Sequence, residues 1–292
     1  MSRPVQQLID LLDLEEIEKN HYRATSPSEG WQRVYGGQVL GQALVAASRT
    51  VDLDRHAHSL HGYFMRPGDM TVPILYKVDR IRDGKSFTTR RVVAIQHGRA
   101  IFSMAISFQV AEDGLSHQFD MPDAPPPDAV RDERALRAEQ AAKYPDLFAG
   151  HPNVERPIEF RPIDPLDMVH PEKRPPRQMA WMKSRDRLPD DPRLHQCVLA
   201  YLSDWSLLDT ATLPHGISYL QSNVQMASLD HAMWFHRPFR ADEWLLYVQD
   251  SPSASGARGF NRGLIYSQDG TLVASATQEG LMRLYQPTTA RN

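Results

Sequence analysis

The amino-acid sequence predicts an α+β fold in which one unit, a buried helix followed by an antiparallel sheet, occurs twice in tandem. Two observations lead to this prediction. Each half of the chain contains a small, apolar run with helical spacing, followed by several segments with the pattern of strands. In addition, short sequence landmarks of the first half recur in the same order in the second half. We expect each helix to pack on the concave face of its sheet.

The recurring landmarks lie at a nearly constant distance along the chain. Four of them are separated from their counterparts by 171 or 172 residues: Phe64–Pro67 from Phe235–Pro238, Ile74–Tyr76 from Leu245–Tyr247, Arg90 from Arg262, and Gln96–Gly98 from Gln268–Gly270. Each match is weak alone, but several matches in the same order indicate a duplication.

The first half begins with an apolar stripe from Val5 to Ile17, whose helical spacing predicts a helix over residues 4–18. After Gly36 and Gly37, the small apolar run from Gln38 to Ser48 predicts a buried helix. The strands predicted next are 58–65, 72–79, 87–96 and 100–110. The last is the clearest, because large apolar side chains alternate with small ones along it.

Proline-rich sequence separates the two halves. Residues 121–128 cannot continue a helix or a sheet, because proline lacks the backbone donor. A charged helix is predicted at 131–143, before a second proline-rich passage at 152–176. The second half then has a predicted buried helix at 194–208 and predicted strands at 219–229, 243–249, 258–267 and 271–279. We therefore divide the chain into an N-terminal unit (1–115), a connector (116–155) and a C-terminal unit (156–292).

The composition is that of an ordinary globular protein, with 41% hydrophobic and 24% charged residues. A net charge of −3 gives no sign of the basic face that nucleic-acid binding requires. Cys197 is the only cysteine, so no intrachain disulfide can form and a reducing compartment is expected. Since the sequence shows no signal peptide and no run of ~20 apolar residues, we expect a cytoplasmic protein without membrane contact.

Several common catalytic motifs are missing from the sequence. It has no G-x-S-x-G elbow, no phosphate-binding glycine loop and no H-E-x-x-H pair. His56 and His58 would share a strand face, but no cysteine or carboxylate ligand accompanies them. We interpret them as structural and expect neither a metal nor another cofactor. Cys197 has no activating neighbour and is interpreted as a buried apolar residue.

Asp204 is the most informative polar residue. On a helix its neighbours three and four positions away are uncharged and mostly apolar, so its carboxylate faces the core. A buried carboxylate needs hydrogen-bond partners, and such environments often mark functional sites. The alternative is a local break at which Ser203 and Asp204 cap a new turn. Ser228 and Gln278 lie on otherwise apolar strand faces, and their importance depends on meeting Asp204.

Several long motifs of the chain resemble the acyl-CoA thioesterase II family. They are Tyr35–Leu44, His61–Gly68, Asp230–Phe239, Ala257–Phe260 and Gln278–Arg283. The likeness extends in order from around residue 5 to residue 285. It implies a tandem (double) hotdog, in which each unit is a long helix packed in an antiparallel β-sheet. It also implies that the chain hydrolyses fatty acyl-CoA to free fatty acid and CoA.

The resemblance further implies a catalytic trio of aspartate, hydroxyl residue and glutamine, which falls on Asp204, Ser228 and Gln278. Bacterial members of the family often have threonine at the middle position; serine keeps the hydroxyl and loses a methyl group. In the implied mechanism Asp204 accepts a proton from a water molecule that Ser228 and Gln278 position. Neither a covalent acyl-enzyme nor a metal takes part.

Four further residues are candidates for oxyanion or substrate binding. Backbone N–H groups at the start of a helix can hold an oxyanion, which makes Gly37 and Gln38 candidates; the alternative is a plain turn. Arg91 and Arg258 are candidates for contact with the CoA phosphates, and solvated surface positions are the alternative. The resemblance also implies a homodimer or homotetramer.

Two other functions stay open at this point. A hotdog-type enoyl-CoA hydratase or dehydratase needs a His–carboxylate pair, for which His58 or His61 is available, although no hydratase motif is present. A non-catalytic acyl-CoA-binding protein binds its ligand without turnover, and the presence of all three catalytic positions argues against it.

Overall fold

The structure is a computed structural model that describes residues 1–26, 33–149, 155–221 and 223–285. In chain order its helices and strands are α1 (Arg3–Leu12), β1 (Glu15–Glu18), β2 (His21–Ala24), α2 (Gly36–Ser48), β3 (Arg55–Phe64), β4 (Ile74–Asp83), β5 (Phe87–Gln96), β6 (Arg99–Val110), α3 (Glu133–Lys143), α4 (Pro145–Phe148), β7 (Ile158–Pro162), β8 (Arg177–Ser184), α5 (Pro192–Ser203), β9 (Val224–Ser228), β10 (Asp230–Phe235), β11 (Leu245–Ser255), β12 (Arg258–Ser267) and β13 (Leu272–Leu284). Short 3-10 helices also occur at Pro127–Ala129 and Leu208–His215.

The strands of the described residues form one antiparallel sheet. Its order is β1-β2-β4-β5-β6-β3-β10-β13-β12-β11-β8-β7, and β9 pairs with the far end of β13. The two halves meet where β3 pairs with β10, with Tyr63 opposite Asp230 and Ser59 opposite Trp234. The strands of the first half therefore continue into those of the second, and neither half leaves an open edge at this junction.

The buried helices α2 and α5 pack against each other, and their backbones approach closely at two glycines. A Cβ atom at Gly37 would lie 2.2 Å from the carbonyl oxygen of Tyr201, and one at Gly41 would lie 3.1 Å from that of Cys197. Glycine at these positions permits the close contact, because it has no Cβ atom. The main apolar core extends from these two helices to the inner face of the sheet.

The two halves share details of side-chain pairing on the sheet. Arg91 of β5 forms an ion pair with Asp79 of β4 at 2.7 Å, and Arg262 of β12 forms one with Asp250 of β11 at 2.8 Å. Both members of the pair are separated by 171 residues from their counterparts. Arg262 thus corresponds to Arg91, and the match of Arg262 with Arg90 in the sequence landmarks is wrong by one position.

Most predicted elements are present, and β5 and β12 have the predicted bounds. The first helix ends at Leu12, earlier than predicted, since the stripe is buried only that far and Ile17 is 52% exposed in β1. The predicted helix 194–208 ends at Ser203, with Asp204 as its C-cap. The backbone turns away two residues later at Ser206, whose φ is 65°.

Five strands were not predicted from the sequence. β1 lies inside the predicted helix 4–18, and β2 follows it in a segment without a predicted element. β7 lies inside the second proline-rich passage and ends at Pro162. The prolines of this passage are the reason why no strand is predicted there. As the last strand in the order β7 tolerates proline, since one side of an edge strand needs no partner. β8 follows the same passage, and β10 follows β9 after a single residue, Leu229. No helix within the described ranges has the length and hydropathy that a membrane span requires.

Candidate active site

Asp204 lies at the end of α5 with only 6% of its side chain exposed. Its Oδ1 atom accepts a hydrogen bond from Nε2 of Gln278 at 2.5 Å and one from Oγ of Ser228 at 3.3 Å. Gln278 belongs to β13, and Ser228 is the last residue of β9. The structure therefore brings together the three side chains that the resemblance assigns to catalysis. Asp204 is the C-cap residue of α5, and its described side-chain hydrogen bonds come from Ser228 and Gln278 and not from the backbone of a new turn.

Asp204 and Ser228 face a cavity of about 1000 Å³ to which both halves of the chain contribute. This volume is at the upper end of the range for small-molecule sites, about 300–1,000 Å³. Among the apolar side chains that line it are Val39, Phe64, Phe102, Leu220, Met226 and Leu229. The cavity suits a ligand with a large apolar part whose reactive group lies near Asp204.

The N-terminus of α2 lies against the same carboxylate. Gly36 is the first residue of α2 and lines the cavity. A Cβ atom at Gly36 would lie 2.6 Å from Oδ2 of Asp204 and 3.1 Å from Cζ of Phe64. The first N–H groups of a helix have no partner within the helix and carry a partial positive charge. Gly36 thus lets this positive end approach Asp204 and any negative charge that develops beside it.

Gln278 is fully buried, whereas Asp204 and Ser228 reach the cavity. Besides its bond to Asp204, Nε2 of Gln278 donates to Nδ1 of His231 at 3.2 Å. In this arrangement the amide of Gln278 holds the carboxylate and does not reach the cavity itself. The sequence analysis does not assign His231 to the site, because its contact with Gln278 spans 47 residues; the one signal in the sequence is that His231 lies in the motif Asp230–Phe239.

The candidates Gly37 and Gln38 lie beside the cavity lining and not in it. Gly37 faces the backbone of Tyr201 on α5, where its missing side chain is needed for helix packing. Gln38 is buried, and its Nε2 donates to Oγ of Ser26 at 2.9 Å. Of the residues at the start of α2, Gly36 is the one that faces Asp204.

The candidates Arg91 and Arg258 form ion pairs on the exposed surface. Arg91 contacts Asp79 at 2.7 Å, and Arg258 contacts Glu279 at 2.9 Å. Neither belongs to the described lining of the cavity, whose cationic side chains are Arg33, Arg66, Arg137 and Arg156. The sequence offered one signal for this set, since Arg66 lies in the motif His61–Gly68.

His58, His61 and Cys197 have surroundings typical of structural residues. Nε2 of His58 lies 2.8 Å from Oγ of Ser107, and the ring of His61 packs edge-on against Trp234. In the part of the chain that the structure describes, no three His, Cys, Asp or Glu side chains are placed to hold a metal ion. Burial raises the pKa of the Cys197 thiol far above its usual range.

Asp209 is a second carboxylate at the cavity, in the 3-10 helix Leu208–His215. Burial raises its pKa from 3.8 to about 7, and the negative charges of Glu133 and Asp204 act in the same direction. The carboxyl group of Asp209 therefore titrates close to neutral pH. The sequence contains no pattern that indicates this.

We expect the substitution Asp209→Asn to stabilise the protein above pH 7 and to have little effect below pH 4. The folded protein holds the Asp209 proton more tightly than the unfolded chain, so the free energy of unfolding falls as pH rises from 3.8 to about 7 and stays low above that pH. The full shift corresponds to at most about 4 kcal/mol. We expect less, because Asp209 is only partly buried.

The measurement is the unfolding temperature of both proteins between pH 4 and pH 8. The exposed residue Asp54 provides a matched control for the change from carboxylate to amide, and Asp54→Asn should leave the unfolding temperature almost unchanged. A difference between wild type and Asp209→Asn that is the same at every pH contradicts the assignment.

The fold class follows from a comparison with solved structures. A conserved protein from Alicyclobacillus acidocaldarius, described as having the hot dog fold, aligns with a TM-score of 0.76 at 18% identity. The alignment covers 96% of this chain and 99% of that chain. The large antiparallel sheet with helices against it is thus of the hot dog type.

The chain belongs to the acyl-CoA thioesterase family. The family model described as "Acyl-CoA thioesterase" matches residues 153–281, and "Acyl-CoA thioesterase N-terminal domain" matches residues 26–109. Acyl-coenzyme A thioesterase 8 of Mus musculus is 45% identical, over 94% of this chain and 88% of the mouse protein. The crystal structure of an acyl-CoA thioesterase II from Mycobacterium marinum aligns at 46% identity with a TM-score of 0.78, over 96% of this chain and 99% of that one.

Proposed function

We propose that the protein hydrolyses fatty acyl-CoA to free fatty acid and CoA. The observation that carries this proposal is the Asp204 carboxylate, held by Ser228 and Gln278 at the edge of a large and partly apolar cavity. The names of the similar proteins, among them acyl-coenzyme A thioesterase 8, support the same substrate class.

In the proposed reaction a water molecule attacks the thioester while Asp204 takes its proton. The water oxygen bonds to the carbonyl carbon, and the carbonyl oxygen becomes an oxyanion. When the carbonyl re-forms, the carbon–sulfur bond breaks, and the CoA thiolate takes the proton that Asp204 received, which returns Asp204 to its carboxylate form. General-base assistance of this kind contributes a factor of about 10²–10⁴ to the rate.

Each of the surrounding groups has a distinct part in the proposal. The hydroxyl of Ser228 lines the cavity beside Oδ1 of Asp204, where it can hold the attacking water. The amide of Gln278 keeps the carboxylate in place from the buried side. The backbone N–H groups at the start of α2, that of Gly36 among them, stabilise the oxyanion, because such groups are fixed in position and need no rearrangement during the reaction.

We assign the CoA phosphates to Arg33 and Arg66 in place of Arg91 and Arg258. Arg33 and Arg66 are exposed and belong to the cavity lining. Arg91 and Arg258 are away from it, and each already pairs with a carboxylate. Arginine suits phosphate because its planar guanidinium group can donate two parallel hydrogen bonds.

We further propose the tandem hotdog arrangement, with units at 1–115 and 156–292 and a connector at 116–155. The two separate family matches, at 26–109 and 153–281, support this division. A homodimer or homotetramer, a cytoplasmic location and the absence of a cofactor stay predictions from the sequence.

The proposal is tested by measuring thiol release from saturated acyl-CoAs of different chain length. Hydration of an enoyl-CoA without thiol release would favour the hydratase alternative, and tight binding without either reaction would indicate a binding protein. The structure argues against the hydratase. The His–carboxylate contact at the candidate site, His231 to Asp204 at 3.9 Å, has its histidine fully buried, and the contact of His97 with Asp69 at 2.9 Å is exposed and outside the described cavity lining.

The substitution Ser228→Ala should lower kcat by about 10- to 100-fold, because a hydrogen bond to a charged group is worth about 1.5–3 kcal/mol. Ser228→Thr is the matched control, since it keeps the hydroxyl and adds one methyl group. We expect Ser228→Thr to retain most of the activity in the same thiol-release assay. Equal losses in both variants would show that the space around Ser228 matters and its hydroxyl does not.

A further inference from the structure

His231 lies behind the candidate active site with none of its surface exposed. Its Nδ1 atom is 3.2 Å from Nε2 of Gln278 and 3.9 Å from Oδ1 of Asp204. Its Nε2 atom is 2.9 Å from Oγ of Ser203, the last residue of α5. The ring therefore connects the amide that holds Asp204 to the helix on which Asp204 lies.

The donors and acceptors of these contacts fix the state of the ring. The hydroxyl of Ser203 donates its proton to the carbonyl oxygen of Ala200 at 2.9 Å, so toward His231 it accepts a hydrogen bond. The proton of the neutral ring is therefore on Nε2, and Nδ1 carries none and can only accept. Burial lowers the pKa of His231 to about 4, against the opposing effect of the Asp204 charge, which agrees with a neutral ring.

This state of His231 determines which way the Gln278 amide points. An amide turned by 180° would place its oxygen against both Oδ1 of Asp204 and Nδ1 of His231, where three acceptors would meet. On the other side, Oε1 of Gln278 is buried and receives no hydrogen bond from any residue within the described ranges. The orientation of the Gln278 amide is thus fixed by the two hydrogen bonds of its Nε2 atom. One goes to the catalytic candidate Asp204 and the other to His231, which has no assigned role in the reaction.

The first half of the chain shows that the fold does not need this polar pair. Gly62 pairs with Met104 in the first half as Met233 pairs with Ala276 in the second. By the same register, Leu60 and Ile106 stand in the places of His231 and Gln278, and both are buried. An apolar pair packs well here, so a buried imidazole and amide in the second half point to function.

We propose that His231 is a positioning residue for hydrolysis, whose unprotonated Nδ1 fixes the Gln278 amide with its N–H toward Asp204. This proposal rests on the function proposed for Asp204 above. His231 does not touch the substrate, and it acts through Gln278 alone.

The test is a double-mutant cycle of His231→Leu and Gln278→Leu, which introduces apolar side chains such as the first half has at these places. His231→Leu should lower kcat by about 10- to 100-fold with KM and the unfolding temperature little changed, since small misplacements of catalytic groups have effects of this size. When His231→Leu is made in the Gln278→Leu protein, kcat should fall by less than about twofold. The effects of the two substitutions are then not additive, as is typical of residues that act as a unit.

Two controls separate positioning from packing. Met233 lies two residues along the same strand and is fully buried, and its sulfur accepts a hydrogen bond from Ser203; Met233→Leu changes the buried packing and should leave kcat unchanged. His231→Asn places an amide oxygen where Nδ1 accepts and should restore part of the activity lost in His231→Leu. Independent, multiplicative losses in the cycle, or wild-type kcat in His231→Leu, would overturn the proposal.

A second measurement does not depend on the folding of any variant. Nitrogen NMR of the wild-type protein labelled in its histidines reports which ring nitrogen of His231 carries the proton, with His231→Asn used for assignment. We expect the proton on Nε2 at neutral pH, and a proton on Nδ1 would contradict the proposal. If the wild type released no thiol at all, the proposed function would fail while this measurement still tested the geometry.

Discussion

Replacing Asp204 by asparagine is expected to lower kcat for acyl-CoA hydrolysis by about 10²–10⁴, the full contribution of a general base. Asparagine has nearly the same shape and can still accept hydrogen bonds from Ser228 and Gln278 through its amide oxygen. It cannot take a proton from water at neutral pH, so the loss reports proton transfer rather than packing. The measurement is the rate of thiol release under saturating acyl-CoA.

Asp209→Asn is the matched control for this experiment. It makes the same chemical change at a second carboxylate of the same cavity. We expect Asp209→Asn to retain kcat within a small factor at neutral pH. Activity that survives in Asp204→Asn but is lost in Asp209→Asn would assign the base to Asp209 and refute the proposed mechanism.

The second large effect is expected from Gly36→Ala. The added methyl group would lie 2.6 Å from Oδ2 of Asp204 and 3.1 Å from Cζ of Phe64, so the carboxylate has to move. A displacement of this kind lowers the rate by about 10² when the reaction requires a fixed distance and orientation between the catalytic group and the substrate. We expect kcat in the thiol-release assay to fall by that factor, while the folded structure persists.

Gly41→Ala, on the same helix, shows what a methyl group does to packing alone. Its Cβ would lie 3.1 Å from the carbonyl oxygen of Cys197, away from Asp204. The free energy of unfolding should fall in this variant, and kcat per folded molecule should not. If Gly36→Ala kept wild-type kcat, the position of the Asp204 carboxylate would not be critical for the reaction.

The sequence predicts the strands best where the two faces of the sheet differ. β5 and β12 have the predicted bounds because each alternates between the core and the exposed face. The end of α5 was placed five residues too far along the chain, since the apolar residues continue past Asp204 into the 3-10 helix Leu208–His215. The turn at Ser206 depends on a positive φ, which serine rarely adopts. No local sequence pattern predicts this turn.

The site is harder to predict than the fold, because its contacts join residues far apart in the chain. Spacing alone left Asp204 undecided between a cap and a functional group, and Ser228 and Gln278 were selected by resemblance. His231 and Asp209 derive their properties from burial and from neighbours in the folded protein. The arginines of the cavity could not be told from Arg91 and Arg258, since charge in the sequence does not say which face a strand or loop presents.

The central claim is that Asp204 activates water and does not itself attack the thioester. Hydrolysis of an acyl-CoA in ¹⁸O-labelled water, with enzyme in excess so that each molecule turns over once, tests it directly. Mass spectrometry of the fatty acid and of the peptide that contains Asp204 should find the label in the fatty acid and none in the peptide. Label in the Asp204 carboxylate would reveal a covalent acyl-aspartate intermediate and contradict the account.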